Sequence, residues 1–330
     1  MIGLGLLAYL GASGLINWPA LSGLLAAWPL TLAAIFLLLL DVGCTSWRLC
    51  LLLRPHSLHL SLPASVRLTL MGTFFNTCLP GATGGDMVRI YYATRGNHGR
   101  RTEVVTILLL DRAAGMLVLL LWPLLAAPFF PHLLGSQPLL RALLWTATGA
   151  SAAVVGAMLL GSTHAVRHSP PVTWILRKLP LGRYAERVFD TVQGYRHDMT
   201  VLLAALGISI VAHTLTIGAL LLAAYATNPS GFSWQMSLLM PLGFLANMLP
   251  VTPGGLGVGE AAFNRLFALA GLTGGAEALL GWRVLTITIG LLGLIFYLQG
   301  RTRLIHASSP TPPSPMSTAL VSAPHQVVSR

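Results

Sequence analysis

Apolar residues along this chain come in blocks of roughly 20, the length that crosses a hydrocarbon core. The pattern predicts transmembrane helices over 28–53 and about 104–126, 141–162, 201–226 and 278–299. The opening MIGLGLLAYLGASGLINW lacks the basic stretch of a signal peptide and predicts a short retained helix, for six full crossings. Two moderately apolar stretches, 62–95 and 235–270, are broken by proline and glycine and do not read as full spans.

Composition agrees with this pattern. The 330 residues are 55% hydrophobic and only 9% charged, with mean hydropathy +0.74, whereas soluble domains carry about a quarter charged residues. The expected fold is an all-α polytopic bundle forming a single membrane domain over 1–305. Its half-repeats are about 28–162 and 201–300, with a basic interfacial segment at 163–200 between them. From 306 to 330 a Pro/Ser-rich tail, containing SSPTPPSPMS, reads as disordered.

The net charge of +11 reads as topology rather than nucleic-acid binding. Arg54, Arg67, Arg89, Arg95, Arg100 and Arg101 fall between the second and third crossings, and Arg167, Arg177, Lys178, Arg183, Arg187 and Arg196 between the fourth and fifth. Loops 127–139 and 227–234 have no Lys or Arg. Cytoplasmic loops collect such residues, so both basic loops and both termini are expected in the cytoplasm. Trp18, Trp28, Trp122 and Trp234 lie near span ends as interfacial anchors. Cys44, Cys50 and Cys78 have no metal-ligand spacing and read as packing residues. No metal or cofactor motif is recognised.

The broken stretches share a motif. LPGATGGD at 79–86 and LPVTPGGLG at 249–257 align at an offset of 170 as L-P-x-x-x-G-G, with Asn76 and Asn247 just ahead of them. Pro80 and Pro250 stop a helix, and the pairs Gly84-Gly85 and Gly254-Gly255 allow a reversal. By the loop charges, one copy enters from the cytoplasm and the other from outside, as inverted re-entrant hairpins. A reversal inside hydrocarbon exposes backbone groups costing several kcal/mol each, so it survives only within protein or beside a hydrated cavity.

The helix after each Gly-Gly would aim its amides at the turn, which favours anions. Asp86 closes the first copy with Arg89 one turn on, and Glu260 follows the second. Asp41, Asp111, Arg112 and Arg283 lie within apolar spans, where a charge costs at least about 2.5–3.5 kcal/mol on insertion scales. The expectation is a basic residue near each hairpin, Arg112 and Arg283, with Asp86, Asp111 and Glu260 as counter-charges; buried ion pairs that only fix helix register are the alternative. His213, inside the fifth crossing, reads as a hydrogen-bonded packing histidine.

GTFFNTCLPGATGGDMVRIYYA (72–93), ILLLDRAAGM (107–116) and LPVTPGGLGVGEAAF (249–263) resemble the flippase-like family defined by the transmembrane region of lysylphosphatidylglycerol synthase. The resemblance implies a multi-pass bacterial inner-membrane protein that moves or handles polar lipids. It carries over Asn76, Pro80, Gly84, Gly85, Asp86, Arg89, Asp111 and Arg112 from the first motif group, and Pro250, Pro253, Gly254, Gly255 and Glu260 from the second. Asn247 and Arg283 join this headgroup-binding set by position. The aminoacyl-transfer domain of the fused enzymes is not expected here, since the chain ends soon after its last span. Movement of an anionic or polar lipid is the leading reading, with membrane lipids and lipid-biosynthesis enzymes as the expected partners. A membrane-embedded transferase using Asp86 or Asp111, or a non-transporting accessory subunit, is the alternative.

Overall fold

The computed structural model describes residues 22–78, 84–95, 99–162, 191–195, 198–247, 252, 255–299 and 305–307. Among them, five helices are long and apolar enough to cross a membrane: α1 (Trp28–Leu53), α4 (Arg101–Ala126), α5 (Pro138–Ser162), α6 (Met199–Thr227) and α9 (Gly275–Leu298). They coincide with the spans expected from the apolar blocks. The N-terminal helix, residues 163–190 and the tail beyond 307 lie outside the described residues.

Both broken stretches fold as pairs of shorter helices, α2 (Leu62–Cys78) with α3 (Gly84–Thr94), and α7 (Met236–Asn247) with α8 (Val258–Leu269). Each break falls at the motif. Leu58–Leu60 (β1) pairs antiparallel with Ile305–Ala307 (β2), His59 facing His306, so the first two residues assigned to the tail are held against the start of the first hairpin.

Among the described residues, three apolar clusters hold the bundle together. One gathers Leu49, Leu52 and Leu53 of α1, Leu68 of α2, Ala93 of α3, Val104 and Ile107 of α4, and Ala205 of α6. A second lies at the other ends of α4 and α6, where Leu119 and Leu220 meet Leu238 and Leu239 of α7, Phe263 and Phe267 of α8, and Leu279 of α9. The α2–α3 pair is thus anchored at one end of the bundle and the α7–α8 pair at the other. Between them, Leu38 and Val42 of α1 pack with Leu70 of α2, Ala219 of α6 and Ile289 of α9.

Small residues let the first hairpin sit close. Gly293 of α9 lies directly on the Leu70 carbonyl, and Gly290 beside the Phe74 backbone, so α2 and α9 approach as small-residue helix faces do in membranes. Gly85 rests on the Gly72 carbonyl in the same way and brings α3 onto α2.

The outward faces are apolar. Leu32, Phe36, Leu203, Ile210, Leu291 and Ile295 are exposed, whereas Arg48, Asp111, Glu260 and Arg283 are buried. That is the reverse of a water-soluble distribution and matches a chain whose outer solvent is lipid. Trp28 and Trp234 are exposed near helix ends, where interfacial tryptophans belong.

A polar cluster closes the end that carries the arginine-rich connections. His56 Nδ1 and Glu103 Oε1 are 2.9 Å apart, Arg100 Nε meets Glu103 Oε2 at 2.6 Å, and Arg100 donates to the His56 carbonyl. The Tyr195 hydroxyl donates to the Leu52 carbonyl, and burial pushes its phenol well above the usual tyrosine range.

Candidate functional site

Halfway through the bundle lies a cavity of about 340 Å³. Residues of both hairpins reach it, Asn76, Asp86 and Arg89 from the first and Phe244 and Asn247 from the second. The spans α1, α4, α6 and α9 complete its wall with Asp41 and Arg48, Asp111 and Arg112, His213 and Thr216, and Arg283 and Thr286. Charges that would be costly in hydrocarbon are therefore gathered on one interior surface.

Local sequence explains how each hairpin delivers its polar groups. Gly85 N–H donates to Asn76 Oδ1 at 2.7 Å, so an asparagine in the last turn of α2 caps the amides that open α3, in the manner of an N-cap. In the second hairpin Gly255 and Gly257 take φ of 71° and 81°, values glycine adopts without a Cβ penalty. Asn247 Oδ1 lies against Gly255 and Gly259 and accepts from Arg283 Nη2 at 2.7 Å. Glu260 Oε2 accepts from Gly257 N–H at 2.7 Å, tying down the first turn of α8.

Two classes of ion pair result. In the tight class, Arg283 Nε meets Glu260 Oε1 at 2.5 Å. Arg48 Nε meets Asp111 Oδ1 at 2.7 Å, and Arg48 Nη1 donates to Ser209 Oγ at 2.7 Å. These lengths are those of strong charge-assisted bonds. In the loose class, Arg112 Nε is 3.2 Å from Asp86, while Arg89 spans Asp86 at 3.6 Å and Asp111 at 3.5 Å. Arg89 Nε is buried without a hydrogen-bond partner among the described residues. Asp86 and Arg112 are also the more exposed, 22% and 31% of their side chains against 0% for Glu260.

Of the residues expected from the sequence, Asn76, Asp86, Arg89, Asp111, Arg112, Asn247 and Arg283 line the cavity. Gly84 and Gly85 are buried where α3 begins, Gly255 forms the second turn, and Glu260 sits behind Arg283. Pro80, Pro250, Pro253 and Gly254 lie outside the described residues. His213 Nδ1 is 2.9 Å from the Ser209 carbonyl, the packing bond expected, yet the ring also lines the cavity.

Sequence reasoning missed Arg48. It is buried at 5% exposure and holds the Asp111 carboxylate. The signal was present: a lone arginine seven residues beyond Asp41, on the same helix face. Ser209 and Gly115 were also missed. Gly115 leaves room for the Arg48 guanidinium to lie across α4.

A family model described as the lysylphosphatidylglycerol synthase TM region matches residues 1–296, so both hairpins, the cavity lining and the long helices, all but the last two residues of α9, fall within it. The chain belongs to that family. This makes it a membrane protein related to lipid modification or handling. Neither a curated protein nor a solved structure matches the chain. Within the family domain, Arg89 and Arg112 give the cavity wall guanidinium groups that can donate to an anion, while the 2.5–2.7 Å pairs hold its frame.

Proposed function

We propose that this protein moves a lipid with an anionic headgroup across the membrane, the phosphate resting against Arg89 and Arg112 while the acyl chains stay in the bilayer. One observation carries the reading. A single mid-bundle cavity draws residues from two hairpins anchored at opposite ends of the helices.

In membrane terms the two pairs are re-entrant hairpins of an inverted repeat, entering from opposite faces. Each shortens the path from its own face to the cavity. A headgroup crossing pure hydrocarbon loses its hydration with nothing in exchange. Here fixed guanidinium groups, asparagine amides and threonine hydroxyls replace water, and a phosphate accepts well from arginine forks. Arg89 already bridges Asp86 and Asp111 at 3.5–3.6 Å, so a phosphate arriving at Arg89 displaces those long contacts rather than a 2.5–2.7 Å bond. We place the protein in a bacterial inner membrane with the arginine-rich connections in the cytoplasm.

The test is leaflet exchange in proteoliposomes of phosphatidylethanolamine and phosphatidylglycerol, using fluorescent phosphatidylglycerol and a quencher outside. The wild type accelerates exchange over empty vesicles, and Asp86→Ala and Arg112→Ala abolish the acceleration while remaining folded. Exchange equal to that of empty vesicles for lipids of every headgroup charge refutes the reading.

A further inference from the structure

Asp41 is the cavity carboxylate left over by the ion pairs. Asp86 and Asp111 each lie within 3.6 Å of an arginine nitrogen, and Glu260 is held by Arg283. Among the described residues, no ion pair includes Asp41. It lies at the middle of α1, 13 residues from Trp28 and 12 from Leu53, so about 20 Å from either end. The nearest cation on its own helix is Arg48, whose Nε and Nη1 are committed to Asp111 and Ser209.

The groups around Asp41 can be named element by element. From α1 itself come Cys44, Thr45 and Arg48; from α6, His213 and Thr216, the latter beside the carboxyl. From α4 come Asp111 and Arg112; from α9, Arg283; from α2, the uncharged Thr69, Thr73 and Asn76; and from α3, across the cavity, Asp86 and Arg89. The Gly23–Ala26 turn packed on α1 holds no titratable side chain. Among the described residues, Arg48, Arg89, Arg112 and Arg283 are balanced in charge by Asp111, Asp86, Glu260 and an ionised Asp41. Protonation of Asp41 gives this set one positive charge, the complement of a monoanionic phosphodiester.

We propose that Asp41 takes up one proton when the cavity binds a monoanionic lipid headgroup, so that lipid movement is coupled to proton movement. The inference rests on the lipid-handling reading above and adds its energy source. Two negative charges in one cavity of about 340 Å³ repel strongly at low effective dielectric, and protonating the carboxyl unpaired by arginine removes that repulsion without breaking an ion pair. Release of the lipid lets the proton leave.

Calorimetry of dioctanoyl-phosphatidylglycerol binding to the purified full chain tests this, run in buffers of different ionisation enthalpy between about pH 5.5 and 8.5. Wild type takes up close to one proton per lipid at the upper end of that range, and Kd rises there by about tenfold per pH unit. Asp41→Asn binds without proton uptake and with pH-independent affinity. Asp41→Glu retains uptake and guards against a merely structural loss. His213→Gln also retains it.

Dioctanoyl-phosphatidylcholine, which has no net charge, drives no uptake. Binding of the anionic lipid without uptake in the wild type, uptake persisting in Asp41→Asn, loss of uptake in His213→Gln, or equal uptake with the zwitterionic lipid overturns the assignment to Asp41. Failure of every lipid to bind refutes the underlying lipid reading and this inference with it.

Discussion

Asp86 and Arg112 face one another at 3.2 Å, while Glu260 and Arg283 close to 2.5 Å. In both pairs a carboxylate early in the second hairpin helix meets an arginine on the span that follows. The first pair is partly open and faces the cavity; in the second, the carboxylate is fully buried. The same device is therefore open to the cavity in one half and sealed from it in the other.

This division predicts opposite outcomes for two arginine substitutions. Arg283→Ala strands Glu260 in a dry site, and breaking such a pair costs about 3–5 kcal/mol. Thermal unfolding in detergent should show a clear loss of stability or of folded protein. Arg112→Ala, whose side chain is partly exposed, should unfold near the wild-type temperature yet lose at least about tenfold in phosphatidylglycerol exchange, a loss of roughly 1.4 kcal/mol or more in transition-state stabilisation.

A methyl group at position 72 should act on the site without touching a charge. The Cβ of Gly72→Ala would come 2.8 Å from Arg89 Cδ and 2.9 Å from Cγ, contacts a flexible side chain relieves by moving. Stability should change little, whereas displacement of the Arg89 guanidinium should weaken binding of dioctanoyl-phosphatidylglycerol several-fold. Unchanged affinity would remove Arg89 from the binding surface.

Close helix contact gives a third expectation. Any side chain at Gly293 drives into the Leu70 carbonyl, and backbone cannot give way as a side chain can. Gly293→Val should separate α9 from α2 and lower the unfolding temperature markedly. Gly149→Ala, on α5 with open space around its Cα, should leave it unchanged or raise it slightly through helix propensity.

The sequence revealed the spans and the two broken elements because both signals are local. A 20-residue apolar block needs no tertiary knowledge, and Leu-Pro followed by Gly-Gly marks a reversal through backbone sterics alone. The hairpin acids and their following-span arginines were also legible, as intramembrane charges announce themselves by cost. What could not be read was the pairing. Asp111 is held by Arg48, 63 positions earlier, and Asn247 by Arg283, 36 positions later; such partners are set by helix packing. Aligning the halves by their Gly-Gly motifs set Arg112 opposite Trp282 rather than Arg283, a one-residue slip that only the ion pairs correct. Arg48 escaped because it lies near the arginine-rich end of its span, where a charge is cheap in sequence but proves to be turned inward.

Photocrosslinking with phosphatidylglycerol carrying a diazirine on its headgroup, followed by peptide mapping, tests most directly that the headgroup enters the shared cavity. The account predicts adducts on the peptides bearing Arg89 and Gly115-Met116 that disappear in Arg112→Ala. Adducts confined to outward-facing peptides such as those with Leu203 and Ile210, and unaffected by that substitution, would contradict it.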